Sequence, residues 1–410
     1  MHTGPVSWLT SRRLRAQGIA LAICLWGVYF WILATPGLRD RNGNLKGTDF
    51  LHFYTLGKLA IENRGADLYN MSAQAAVAAQ QVPQAAGLRY LPLYPPQVSL
   101  LFIPFAHLPY AWALALWWSC TTAIYGVCCY FIWRACCNLR PHPGLTVVLA
   151  AAFPAFFNLI AWGQTSALAL ACFTAMFFLL QDKRDFLAGL AFGCLIFKPQ
   201  LALAGAIILL SGAAGKVLLG ALISSAIQLG AGVLYYGMGP VRAWIHMLLR
   251  VREVFPLLEP RPYQTHSLRS FWDLLLPTQI ALPLYVLSAL LVLALAIACW
   301  RRASQPLSLR YSALLIASVL IAPHLTVYDL VILAPAFLLL ADWLAGQCEN
   351  VHKARFVALL YLAYVLPFLA PVTRWTHVQL SVLAMLGILY CLWEAVRQPD
   401  AVITQDHVNA

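Results

Sequence analysis

Apolar runs long enough to cross a bilayer recur along nearly the whole chain, and this recurrence limits the fold more than any other feature. A helix needs about 20 residues to cross the ~30 Å hydrocarbon core. Within that core each backbone polar group must find its partner inside the protein. The pattern predicts an all-α polytopic integral membrane protein. Length alone would allow two or three soluble domains, but residues AVILMFWYC make up 61% of the 410 and charged residues 10%, against ~25% charged in soluble domains. A single integral-membrane domain over 1–410 is the economical reading.

The formal charge is +12, yet the basic residues sit at the ends of apolar runs, where anionic lipid and the positive-inside rule favour them. No soluble module gathers them into a nucleic-acid surface. Of eleven cysteines, most lie inside apolar runs, and the Cys128, Cys129, Cys136, Cys137 group lacks a histidine partner pattern. Small buried apolar residues explain them better than zinc. Arg12, Arg13 and Arg15 precede a run, about 16–36, too long for a cleaved signal peptide. It reads as an uncleaved first span with the N-terminus in the cytoplasm.

A first outer loop, 37–109, follows, with surface helices expected at Gly47–Tyr54 and Ser72–Gln81. Residues 97–107 are too short to cross and read as a half-depth element. Eleven further spans follow, at about 110–134, 144–161, 164–181, 184–198, 200–212 and 216–236, then from 278 to Arg397 after a second long outer loop, 237–278. About twelve transmembrane helices result, with both termini cytoplasmic. Nearly every short cytoplasmic turn then carries Lys or Arg, while the short outer turns hold only Lys198 and Arg374.

The polar residues hardest to place in lipid all fall at outer span ends in this arrangement: Gln164, Lys198, Gln200 and His324. They share that side with Asp49, His52, Tyr94, His266, Arg269 and Asp273. Ionisable groups at membrane depth are costly and mark functional sites. Each also has a plain reading. Asp49 can cap the surface helix that it leads. Lys198 can snorkel to the interface. Asp329 can pair with His324 or Tyr328, Gln164 can bond between helices, and Arg269 and Asp273 can form an i,i+4 pair. Convergence on one side raises the set above its members.

The series Thr48-Asp49-Phe50-x-x-Phe53-Tyr54, Asp67-Leu68-Tyr69, Tyr94-Pro95-Pro96, Trp162-Gly163-Gln164, Phe197-Lys198-Pro199-Gln200 and Pro323-His324-x-x-x-Tyr328-Asp329 resembles the bacterial glycosyltransferase 87 family. That family includes polyprenol-phosphate-mannose-dependent alpha-mannosyltransferases and belongs to the GT-C superfamily. The resemblance implies a GT-C fold with juxtamembrane helices, in a bacterial inner (plasma) membrane. It also implies inverting transfer of a hexosyl, typically mannosyl, group from a polyprenyl-phosphate donor to a lipid or glycan acceptor on the extracytoplasmic face. Asp49 falls on the family's catalytic base, and Lys198 and His324 on positions suited to the donor phosphate. His52, Tyr94, Gln164, Gln200, His266 and Arg269 complete the expected substrate-binding set. One carboxylate suffices to take the acceptor's proton, because a phosphate leaving group needs little acid assistance. No cofactor is implied, assistance by a divalent metal is left open, and no Asp-x-Asp motif is present. A secondary transporter or lipid flippase is the alternative from another class; it would more often show internal repeats and midplane polar residues.

Overall fold

A computed structural model describes residues 10–251, 253, 259 and 261–397. The expected cytoplasmic termini fall on 1–9 and 398–410 and lie outside the described residues, as do 252, 254–258 and 260 of the second outer loop. Among the described residues the chain is helical, with two isolated bridges, Arg39–Leu45 and Thr265–Thr326, as its only extended pairing.

Each of the twelve expected apolar segments is occupied by a helix or helix pair. Seven are long and apolar enough to cross a membrane: Ser11–Leu33, Tyr110–Ala135, Gly215–Tyr236, Thr278–Trp300, Val327–Ala345, Val351–Thr376 and Leu380–Arg397. An eighth is a pair, Pro143–Ala151 and Pro154–Trp162, bent by 47°. The bend falls where Pro154 can continue no upstream hydrogen-bond ladder. The other four, Ser166–Gln181, Asp185–Phe197, Pro199–Ser211 and Leu307–Ile321, reach at most 16 residues. At 1.5 Å per residue they extend about 24 Å or less. They are short because turns interrupt them at 163–166, at Lys198–Pro199 and at 322–326, and these turns carry the polar motifs.

Burial separates one of the short helices from a long one. Leu307–Ile321 is enclosed by protein from Leu309 to Ile321, with only Arg310 partly exposed. Thr278–Trp300 instead turns Leu287, Leu290 and Leu291 outward, at 58–65% exposure. The first is core; the second presents an apolar face to its surroundings.

The 37–109 segment corrects one expectation. Its leading helix, Thr48–Ile61, does not lie on a surface: every residue from Phe50 to Ala60 except Lys58 is buried. Helices Met71–Gln81, Gln97–Leu101 and Ile103–Ala106 pack on it, as does the start of Tyr110–Ala135. Its polar residues His52 and Thr55 are buried with the apolar ones because the loop folds around the helix. Asn70 caps Met71–Gln81 by accepting from the Ser72 and Ala73 amides. The 97–107 segment forms two short helices broken at Phe102, neither long enough to cross. The second long loop contains helices Met238–Leu249 and Leu268–Leu275.

Truncating a core leucine opens a cavity, at about 2–5 kcal/mol, whereas a surface truncation stays within about 0.5 kcal/mol. Leu315→Ala is therefore expected to lower the thermal melting point in detergent sharply and Leu291→Ala to leave it almost unchanged. Equal shifts would contradict a buried Leu307–Ile321.

Candidate active site

Two glycines bring the site together. Gly47 precedes the acid-bearing helix and Gly163 ends Pro154–Trp162, and both adopt left-handed backbone, φ +64° and +73°. A side chain is strained in that region. Contact forbids one as well, since a Cβ on Gly163 would lie 2.8 Å from that of Phe50 and 3.6 Å from the Gly47 Cα. Both turns are anchored on helix Tyr110–Ala135. Tyr110 Oη donates to the Gly47 carbonyl at 2.9 Å, and Trp117 Nε1 to the Gly163 carbonyl at 3.0 Å. Phe50 fills the space between, stacked on Trp117 at 6.0 Å.

This approach puts Gln164 against Asp49. Gln164 Nε2 donates to Asp49 Oδ2 at 2.6 Å, and Tyr94 Oη donates to Gln164 Oε1 at 3.4 Å. Asp49 is not a cap. Gly47 occupies the cap position, and no side chain caps this helix. Burial raises the Asp49 carboxyl to about 6, opposed by the Gln164 hydrogen bond and by the charges of Lys198 and Arg261. A carboxylate poised near neutrality is suited to accept a proton.

Next to it lies a buried ion pair. Lys198 Nζ donates to Asp329 Oδ1 at 2.7 Å and to Ser166 Oγ at 2.9 Å, and Ser166 donates to the same carboxylate oxygen at 2.6 Å. Lys198 and Asp329 are 3% and 2% exposed, so the lysine does not snorkel to an interface. Asp329 thus pairs with Lys198 rather than with His324 or Tyr328, because the Lys198–Pro199 break points the ammonium inward and a buried charge requires a partner. The Tyr328 ring lies 5.2 Å from Nζ.

A second ionic group surrounds Glu259, which accepts from the Arg269 guanidinium and, at 2.8 Å, from His324 Nδ1. Arg269 forms the expected pair with Asp273 at 2.9 Å and donates to the Pro323 carbonyl at 2.6 Å. Arg261 stacks over Trp162 at 5.3 Å, beside the Gly163–Gln164 turn.

The remaining candidates are placed differently. His52 is buried beside Tyr90 and Tyr94, at ring distances of 5.2 and 6.0 Å, and burial lowers it to about 4. His266 is wholly enclosed, with Nδ1 2.7 Å from Ser381 Oγ. Burial pushes it down to about 3, so it remains neutral and ties the second loop to the last helix. Gln200 joins none of the hydrogen bonds of the cluster among the described residues. Asp67, a possible second acid, pairs with Arg64 at 2.8 Å. Three participants were not among the residues expected from the sequence, Ser166, Glu259 and Arg261, and Asp329 took a partner other than the two open to it. Arg261, set between Pro260 and Pro262 in a long polar loop, was the one with a visible signal.

Gly163→Ala is expected to cost about 1–2 kcal/mol from backbone strain alone, and more from the clash with Phe50. The melting point should fall by the corresponding amount; a variant with unchanged melting would contradict the contact.

Residues 93–326, more than half of the chain, match the family model described as glycosyltransferase family 87. The matched stretch contains Tyr94, Gln164, Lys198, Gln200, His266, Arg269 and His324, while Asp49 and His52 precede it. No curated protein and no solved structure compared with the chain matches it. Apolar helices throughout and a family match over this span agree: the chain belongs to glycosyltransferase family 87 and is a membrane glycosyltransferase.

Proposed function

We propose that the protein transfers a hexosyl group, mannosyl by family likeness, from a polyprenyl-phosphate donor to a hydroxyl of a lipid or glycan acceptor. The observation that carries this reading is the Asp49 carboxylate, held by Gln164 and raised to about 6, within the field of Lys198 and Arg261. Asp49 takes the proton of the acceptor hydroxyl while its oxygen attacks the anomeric carbon. The bond from that carbon to the phosphate oxygen breaks, and the polyprenyl phosphate leaves with the electron pair. Attack opposite the leaving group inverts the anomeric centre. Lys198 and Arg261 supply positive charge where negative charge grows, and Arg269 and His324 supply further donors.

In this reading all twelve apolar segments cross, the four short ones by local thinning of the bilayer or enclosure in protein, and the fold is of GT-C type. The polar turns at 163–166, 198–199 and 322–326 then face the outer side of a bacterial plasma membrane. The basic turns, among them Lys183–Arg184 and Arg301–Arg302, face the cytoplasm. Arg184→Cys should react with a membrane-impermeant thiol reagent only after the inner face is exposed; labelling of intact cells would invert the topology.

Asp49→Asn is expected to keep the fold and lower transfer from polyprenyl-phosphate mannose by about 10²–10⁴-fold. Full activity would remove Asp49 as the base. The pH profile carries a sign. Since the carboxyl lies near 6, it is protonated below that value and cannot accept a proton. The wild-type kcat/KM should therefore fall about tenfold per pH unit below about 6, and a flat profile down to pH 4 would contradict the assignment.

A further inference from the structure

The Lys198–Asp329–Ser166 group contains more than a buried pair requires. An ammonium has three N–H donors. Ser166 Oγ and Asp329 Oδ1 accept two of them; the third meets no hydrogen-bond acceptor among the described residues, and the Tyr328 ring, 5.2 Å from Nζ, is the ammonium's other neighbour. The charge of Lys198 also reaches Asp49 and Tyr94, so the group adjoins the proton-accepting carboxylate. Asp329 is held from its other side too: its Oδ2 accepts from the Thr326 amide and hydroxyl, both at 3.3 Å, which fixes the start of the turn Val327–Leu333. The carboxylate is thus tied to its own turn as well as to the lysine. Ser166 relays this order, accepting from Lys198 and donating to Asp329, and it stands two residues after Gln164, the residue that holds Asp49.

From this geometry we infer that Asp329, with Ser166, is a positioning residue. It holds the Lys198 ammonium so that its third N–H meets the phosphoryl oxygen of the polyprenyl-phosphate leaving group. The inference rests on the donor class proposed above. Two properties follow. The pair is neutral overall, so it can be buried without donor, yet it presents one N–H to an anion. Because the same serine lies next to the Gln164 turn, placement of the phosphate and of the Asp49 base are coupled through a few covalent bonds. The competing account is that the pair only staples three helix ends together.

Single charge removal alone would not separate these accounts, since an unpaired buried charge destabilises strongly. The test therefore uses full-length protein in nanodiscs and four variants: Asp329→Asn, Lys198→Met, the double Lys198→Met/Asp329→Asn, and Asp49→Asn. Asparagine preserves the size of Asp329 and its capping oxygen, and the double variant leaves no unpaired charge. Two readouts are taken on the folded fraction: binding of polyprenyl phosphate, and transfer from polyprenyl-phosphate mannose. The positioning role predicts that Asp329→Asn and Lys198→Met each weaken polyprenyl-phosphate binding at least about tenfold, the worth of one hydrogen bond to a charged group. The double variant should melt near wild type yet bind no better than Lys198→Met. A double variant that is stable and both binds and transfers like wild type would leave only the staple and overturn the inference. So would a folded Asp329→Asn protein with unchanged binding. Asp49→Asn keeps the two questions apart. It should bind polyprenyl phosphate normally and fail in transfer; if it transfers, the base assignment falls while the binding results still decide the role of Asp329.

Discussion

The buried pair between Lys198 and Asp329 is the interaction on which the rest of the site depends. A charged group taken out of water costs several kcal/mol unless it is paired and hydrogen-bonded. Here 131 residues of chain separate the partners. Their meeting obliges three interruptions to lie together: the Gly163–Ser166 turn, the Lys198–Pro199 break and the turn that begins at Thr326. Apolar packing alone would permit these helices to slide along one another. A lysine that has one acceptor carboxylate within reach does not permit it.

Around that fixed point the first outer loop is clamped by aromatic and glycine contacts. Tyr110 and Trp117, two turns apart on one helix, hold the carbonyls of Gly47 and Gly163, and the absent side chains let the two turns touch. This close approach turns a glutamine at a helix end into a partner for Asp49. The electrostatics follow from the same arrangement. The ion pair is nearly neutral as a unit, so Asp49 meets a moderate positive field, too weak to offset its burial. Its carboxyl consequently stays near 6 rather than at an ordinary carboxylate value. A stronger field would leave a weaker base. The Glu259 group adds a second anchor, tying the long second loop to the Pro323–His324 turn through Arg269 and His324.

Hydrophobic runs that exceed the thickness of a bilayer core were legible without coordinates, and so were the positions of the twelve apolar segments, the interruptions between them and the polar residues at those interruptions. These are local properties. Run length, proline and glycine punctuation and the cost of a charge in hydrocarbon act on residues close in sequence. The motif series 48–54, 94–96, 162–164 and 197–200 is of the same kind, and the family match over 93–326 spans the last three of these, with 48–54 preceding it.

Pairing and depth were decided only by the tertiary structure. Helical periodicity puts Asp49, His52, Thr55 and Glu62 along one side of the helix that Thr48 begins, but whether a polar residue meets water or protein depends on what the following fifty residues do; here they cover His52 and Thr55 and leave Glu62 exposed. His52 and His266 looked alike as loop histidines, yet both are enclosed, and His266 is bonded to Ser381, more than a hundred residues further on. Asp329 had plausible partners one and five residues away, and it took one 131 residues away because the breaks, not the intact helices, converge. A sequence states which groups cannot remain in lipid; only the packed chain chooses which of them meet, since that choice is made by contacts between segments that share no local signal.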